Sequence, residues 1–138
     1  MTSPRLEKLA DIGQLHRTRA STGEITHLVT NGQVRLRDAR NAGLAPESRF
    51  DLAYNAAHSL ALAALRIAGY RSDNRFTVFQ VLEETAGIPA AQWRVLAKAH
   101  EARNLMEYEG EGEVDQRLLD DIIAVAEEVE SAVIRLIK

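Results

Sequence analysis

The sequence predicts an all-α, single-domain protein: an up-and-down four-helix bundle with one or two short accessory helices. Three observations favour this fold class. The 138 residues are about the length of one domain. Apolar residues recur mainly at spacings of three and four, which is helical periodicity. The three prolines stand where helices can begin. No stretch alternates strictly between apolar and polar residues, so we expect no strand.

The first two helices are predicted from a periodic segment and a cap. A short helix is expected over 5–17. Ser21 and Glu24 have the spacing of a capping box, in which a serine oxygen accepts from the backbone three residues later. A second helix should therefore begin there and run to about Asn41. Gly32 lies near its middle and is expected to weaken or bend it.

The third helix is the longest apolar element. Pro46 can occupy its first turn, and Gly69 should close it just after Ala68. The small side chains of its apolar face should let a neighbouring helix approach closely. That face follows helical spacing and consists of Phe50, Tyr54, Ala57, Ala61, Ala64 and Ala68.

The second half of the chain predicts three more helices. One covers 76–86 and is ended by Gly87, and the next runs from Pro89 to about Tyr108. After a loop over 109–113, a last helix should begin at Asp115. Its apolar stripe is Leu118, Ile122, Val125, Val129, Val133 and Ile137.

Composition excludes several classes of site and of location. The absence of cysteine excludes disulfides, thiolate metal ligands and cysteine nucleophiles. The longest uncharged run, 52–65, is shorter than the roughly 20 residues of a membrane span, and residues 1–11 lack the apolar core of a secretory signal. We therefore expect a cytoplasmic protein with no membrane partner.

Charge is unevenly distributed along the chain. Eleven Lys or Arg against seven Asp or Glu give residues 1–75 a net charge of +4, whereas six against thirteen give residues 76–138 a net charge of −7. A mildly basic half can meet phosphates, although solvated helix faces would produce the same imbalance. Arg35, Arg37 and Arg40 form a small basic patch, and Arg37 and Arg40 share a helix face as candidate phosphate ligands.

The fifth predicted helix carries the most informative pattern. His100, Asn104 and Tyr108 are spaced by four, with Arg103 beside them, so they should form one strip of roughly 10 Å. A guanidinium matches two phosphate oxygens, and an imidazole moves protons near neutral pH. The alternative is structural: a salt bridge for Arg103, a bundle hydrogen bond for Asn104 and a core edge for Tyr108.

Two stretches, Arg49–Arg71 and Ala102–Tyr108, resemble the HEPN superfamily of prokaryotic helical-bundle toxins, ribonucleases and nucleotidyltransferase partners. The first is similar to the family's long Ala-rich helix that ends in Gly-Tyr. The second is similar to its Arg-polar-x-x-x-His signature, with Arg103 and Asn104 in the first two places. With the helix order, the resemblance covers roughly 22–137 and implies a single HEPN-like domain over 1–138.

The resemblance implies a composite, metal-independent ribonuclease site built from two subunits or two repeats. In such a site arginine holds the phosphate, and histidine transfers protons during attack by the ribose 2′-hydroxyl. Here Tyr108 stands in the histidine position, and tyrosine, with a reference pKa near ~10, is a poor base at neutral pH. Arg103 and Asn104 would still bind phosphate, and His100 is the alternative proton carrier.

We therefore predict an RNA- or nucleotide-phosphate-binding protein of the HEPN type, a toxin–antitoxin component with weakened or lost ribonuclease activity. We expect a homodimer and no cofactor. One alternative is an active metal-independent ribonuclease. The other is a non-catalytic module that pairs with a nucleotidyltransferase-like partner through the Ala-rich helix. The candidate catalytic residues are Arg103, Asn104, Tyr108 and His100, and the candidate phosphate ligands are Arg103, Arg37 and Arg40.

Competing sites have weaker support. Glu24 and His27 form one Glu-x-x-His pair, but a di-iron bundle needs a second pair and two further carboxylates. His16, His58 and His100 lie on different predicted elements and could form a three-histidine site, although four histidines in a chain of this length are ordinary. We expect no metal. Trp93 should pack in the core, with base stacking as the alternative.

Overall fold

The computed structural model describes residues 3–106 and 114–138, and these residues form an all-α fold, as predicted. They contain seven helices and one pair of two-residue strands. In chain order these are α1 (Pro4–Asp11), β1 (His16–Arg17), α2 (Thr22–Ala39), α3 (Pro46–Ile67), β2 (Tyr70–Arg71), α4 (Arg75–Gln80), α5 (Leu82–Ala86), α6 (Ala90–Asn104) and α7 (Gln116–Ile137).

The central element is α3. It packs mainly along α2 and α7, and α6 packs on α4 and α7. This set of neighbours is consistent with the predicted four-helix bundle. The alanines of α3 allow the close approach expected from the sequence: Ala53, Ala56, Ala57, Ala61, Ala63 and Ala64 have no exposed surface.

Several predicted helix ends are confirmed by their caps. The Ser21 side chain accepts a hydrogen bond of 3.1 Å from the backbone N–H of Glu24. The Asp115 carboxylate accepts from the backbone of Arg117 at 2.9 Å. Gly87 ends α5 with φ 68°, a left-handed conformation that glycine adopts without strain. These caps satisfy backbone groups that a helix end leaves unpaired.

The first helix was predicted too long, and the expectation of no strand was wrong. α1 ends at Asp11, and β1 pairs antiparallel with β2, with His16 opposite Arg71. Two-residue strands are too short to show an alternating pattern in the sequence. The buried Arg66 holds this pair to the bundle, because its Nη1 donates to the carbonyl oxygens of Thr18 at 2.8 Å and Tyr70 at 3.1 Å.

The predicted helix over 76–86 is two helices, α4 and α5, with the break at Val81. Val81 has φ −93° and ψ 8°, outside the α-helical region. The break has a packing reason, since a straight helix buries one stripe of residues. Here five residues within six positions are buried: Thr77, Val78, Phe79, Val81 and Leu82.

Gly32 marks the closest approach of α2 to α3. A Cβ atom at this position would lie 2.5 Å from Leu60 Cγ and 2.8 Å from Leu60 Cδ2. α2 continues through Gly32 up to Ala39, so the missing side chain serves the packing of the two helices. Among the described residues, no helix combines the length and apolarity that crossing a bilayer requires.

Candidate functional site

Tyr54 of α3 is the centre of the candidate site. Its side chain has no exposed surface. The ring packs edge-on against Phe79 of α4, with centroids 5.9 Å apart, and lies 6.2 Å from the His100 ring of α6 at an interplanar angle of 30°. The Tyr54 hydroxyl and His100 Nδ1 are hydrogen-bonded at 2.7 Å, and the imidazole tautomer decides which of them donates. One buried ring therefore connects three helices.

Two guanidinium groups converge on the Tyr54 ring. The Cζ atom of Arg75, the first residue of α4, lies 5.4 Å from the ring centroid, and the Cζ atom of Arg103 on α6 lies 5.1 Å from it. Both distances are within the range of cation–π attraction. Arg75 also donates to Asn55 Oδ1 at 2.9 Å, and Arg103 Nε lies 3.6 Å from Asp51 Oδ1.

A second histidine completes the group, which we call the Tyr54 cluster: Tyr54, His58, Arg75, His100 and Arg103. His58 lies one helical turn after Tyr54 on α3. Its ring stands edge-on to Phe79, with centroids 6.0 Å apart and an interplanar angle of 86°. The cluster therefore places two imidazoles and two guanidiniums around one phenol.

The cluster keeps both imidazoles neutral near neutral pH. Burial, and then the charges of Arg75, His100 and Arg103, lower the pKa of His58 to about 4. Burial, and then the charges of Arg103 and Arg75, lower the pKa of His100. Both rings therefore sit in a positive potential produced by the two arginines. A neutral imidazole can accept a proton, and a guanidinium can bind two phosphate oxygens.

The structure brings three of the four predicted catalytic residues together. His100, Arg103 and Asn104 lie on the last turns of α6, and Asn104 Nδ2 is 3.5 Å from His100 Nε2, the outer limit of a hydrogen bond. Tyr108, the fourth, lies outside the described residues. The predicted strip is therefore present from His100 to Asn104.

The predicted phosphate ligands on α2 have contacts elsewhere. Arg40 donates to Glu127 of α7 at 2.8 Å, and Arg37 lies 3.3 Å from Asp38. All four side chains are largely exposed, so these pairs are surface salt bridges that stabilise little. None of these contacts is with the Tyr54 cluster.

A cleft lies beside the cluster, between α4 and α6. Its volume is about 580 Å³, and its lining includes Phe76, Trp93 and His100. Trp93 packs partly against the core, as predicted, but it is only half-buried and also borders this cleft. The wall it shares with Phe76 offers aromatic surface next to His100.

The residues weighed as metal ligands are engaged separately. The Glu24 carboxylate accepts a hydrogen bond from Arg66 Nε at 2.5 Å, and the His27 ring is hydrogen-bonded to Asn31 at 3.0 Å. His16 is exposed in β1. Within 3–106 and 114–138, no group of three or more His, Asp or Glu side chains is placed to hold a metal ion.

Sequence reasoning did not select Tyr54, His58 and Arg75 for the site. Tyr54 was assigned to the apolar face of the third helix, and Arg75 lies just before the helix predicted over 76–86. A signal was present, however. Polar residues recur at one-turn spacing in an otherwise Ala-rich helix, and they form one stripe: Asp51, Tyr54, Asn55 and His58.

Comparisons with known proteins do not identify a family. A scan against protein-family models gave no match, and a search of curated proteins gave no significant match. The resemblance to HEPN proteins therefore rests on the residues quoted above and stays a prediction.

Proposed function

We propose that this protein binds the phosphate groups of RNA or of a nucleotide at the Tyr54 cluster. One observation carries the proposal: the Cζ atoms of two guanidiniums lie close to the centroid of one buried ring, Arg75 at 5.4 Å and Arg103 at 5.1 Å, beside two histidines. Burial is the main cause of the lowered pKa of both histidines, and an anion placed there would offset the second cause, the nearby positive charge.

The local geometry favours phosphate over a monovalent anion. Each guanidinium carries a planar fork of donors that matches two oxygens of one phosphate. The Tyr54 ring supports both arginines in a fixed position, because the side chain is fully buried and its hydroxyl is hydrogen-bonded to His100. Partial burial also strengthens such charge-assisted hydrogen bonds relative to those in open water. The proposal also includes a physiological role: the protein is a HEPN-like component of a toxin–antitoxin pair.

Ribonuclease activity is the second candidate, and the placement of His100 favours it. Cleavage would need a neutral imidazole to take the proton of a ribose 2′-hydroxyl as its oxygen bonds to phosphorus, while an arginine stabilises the phosphate charge. The P–O5′ bond then breaks, and the imidazolium returns the proton to the leaving 5′-oxygen. His100 Nδ1 is engaged by Tyr54, so Nε2 is the atom that would act. That requires Nδ1 to carry the hydrogen and donate to the Tyr54 oxygen. A hydrogen bond from Asn104 Nδ2 to Nε2 requires the same tautomer.

The binding proposal is tested with fluorescently labelled single-stranded RNA at low salt. Arg75→Gln and Arg103→Gln should each weaken binding about tenfold or more, because a hydrogen bond to a charged group contributes about 1.5–3 kcal/mol. Arg135→Gln is the matched control, since it removes the same charge from an exposed residue of α7. Circular dichroism melting checks that each variant is folded. Equal weakening by all three variants would refute a specific site.

The cleavage proposal is tested by incubating the same RNA with the wild-type protein and with variants of α6 in excess chelator. If His100 is the proton carrier, His100→Ala should abolish cleavage, and Arg103→Gln should abolish or greatly slow it. Asn104→Ala should have a smaller effect, because its contact with His100 is long. If the wild-type protein binds the RNA in the previous assay but leaves it intact here, the function is binding without cleavage. Cleavage that survives in His100→Ala would exclude this histidine as the base.

A further inference from the structure

The cleft between α4 and α6 has a composition that phosphate binding alone does not explain. It is adjacent to the Tyr54 cluster, since His100 belongs to both and Asn104 lines it as well. Its volume of about 580 Å³ is in the range of small-ligand sites. Its aromatic and polar lining consists of Phe76, Trp93, Arg94, Lys98, His100 and Asn104, and Glu101 adds a carboxylate.

Two aromatic side chains line this cleft from different helices. Phe76 of α4 is 41% exposed, whereas the next three residues of the helix are buried. Trp93 of α6 is half-buried, and its indole nitrogen has no accessible surface. The part of the indole that borders the cleft is therefore hydrocarbon. A flat aromatic ligand could stack on such surfaces.

The rim of the cleft is polar and carries two cations, Arg94 and Lys98, against one carboxylate, Glu101. The Arg94 Cζ atom lies 5.8 Å from the centroid of the Trp93 ring, and Lys98 follows one turn later on the same helix. Both side chains are exposed. Asn104 adds an amide, which can both donate to and accept from the polar edge of a base. Cations around an aromatic wall are typical of grooves that hold single-stranded nucleic acid.

From this arrangement we infer that the cleft is a nucleobase subsite: an unpaired base of single-stranded RNA stacks on Phe76 and Trp93 while its phosphate lies on Arg75 and Arg103. The inference rests on the proposed function and adds the ligand class, because a paired base in a duplex does not expose its face. A bound base would also lie beside His100 and Asn104, which border the cleft and the cluster.

Trp93 is the only tryptophan in the chain, so its fluorescence reports directly on this cleft. Short single-stranded oligoadenylate should quench the emission. A ribose-phosphate chain of equal length without bases should bind at least about fivefold more weakly and leave the emission unchanged, since stacking contributes about 1–3 kcal/mol per base. Duplex RNA should not quench. Affinities for all three ligands come from a competition assay with labelled RNA.

Substitutions of Phe76 show whether this residue stacks on the base or only supports the fold. Phe76→Ala should weaken oligoadenylate binding by at least about fivefold, and Phe76→Tyr, which keeps an aromatic face, should restore it. Neither change should alter binding of the base-free chain. Val34→Ala is a matched control, because Val34 is an apolar residue of α2 with nearly the same exposure, 40%, outside the cleft.

The outcomes separate the two proposals. If oligoadenylate and the base-free chain bind equally and Phe76→Ala changes neither affinity, the base subsite is wrong while phosphate binding stands. Duplex RNA that binds as tightly as the single strand would also overturn the subsite. If neither the oligoadenylate nor the base-free chain binds, the proposed function fails, and the subsite fails with it.

Discussion

Replacing Gly32 by alanine should destabilise the protein, although alanine is the better helix former. The added Cβ atom would lie 2.5 Å from Leu60 Cγ and 2.8 Å from Cδ2, and Leu60 has no exposed surface into which it could move. Forcing an extra carbon into a packed core costs about 1–3 kcal/mol, and alanine recovers up to about 1 kcal/mol in helix propensity. Because two Leu60 carbons would lie within 3.0 Å of the new Cβ, we expect the upper part of the packing cost and a net loss of about 1–2 kcal/mol in the free energy of unfolding.

Urea unfolding followed by circular dichroism measures this loss, and a Tm decrease of about 4 °C per kcal/mol should accompany it. Gly23→Ala is the matched control in the same helix, since its Cβ would meet only the Ser21 Oγ atom, at 3.9 Å. It should leave stability unchanged or slightly raised. In the double variant with Leu60→Ala, the two costs should be less than additive because the leucine no longer blocks the new Cβ. A Gly32→Ala protein as stable as the wild type would refute the contact.

Three further predictions concern buried polar groups. Tyr54→Phe keeps the ring but removes the hydrogen bond to His100, so the free energy of unfolding in urea should fall by about 1 kcal/mol; no change would mean that water replaces the hydroxyl without cost. Arg66→Met leaves two carbonyl oxygens, one buried and one partly buried, and Glu24 without their donor, and should cost about 3 kcal/mol by the same measurement, whereas a loss under 1 kcal/mol would contradict its anchoring role. The pKa of His58 is about 4 in the folded chain against a reference of 6.5, so as the pH falls the unfolded chain takes up this proton first. The free energy of unfolding should therefore drop between pH 6.5 and pH 4, by about 1.4 kcal/mol per pH unit from this group, and His58→Gln should remove that part of the slope.

Local signals in the sequence predicted most of the helical framework. Ser21, Pro46, Gly87 and Asp115 each act on backbone groups within a few residues, so their effect can be recognised without knowing the fold. The break at Val81 could not be predicted in this way. No glycine or proline marks it, and it arises because neighbouring helices bury both sides of the segment.

The candidate site was predicted only where one helix carries it. His100, Arg103 and Asn104 are close in sequence, and helical spacing alone places them together. Tyr54 and Arg75 approach Arg103 from two other helices, and that meeting depends on how α3, α4 and α6 pack. Helical periodicity also placed Tyr54 in the core. Its burial agrees with that, but periodicity carries no information about the hydroxyl, which is hydrogen-bonded to His100.

Tyr54 belongs to the core and to the site at once, and this determines which variants can report on binding. Its ring touches Phe79 and His100 and supports both arginines, so truncating it would open a cavity and release the cluster together. Lost binding in such a variant would not show whether Tyr54 contacts the ligand itself or only supports the arginines that do. Phe76, in contrast, borders the cleft with a large exposed fraction. Its removal should leave the core packed, so weaker binding there can be attributed to a lost contact with the ligand.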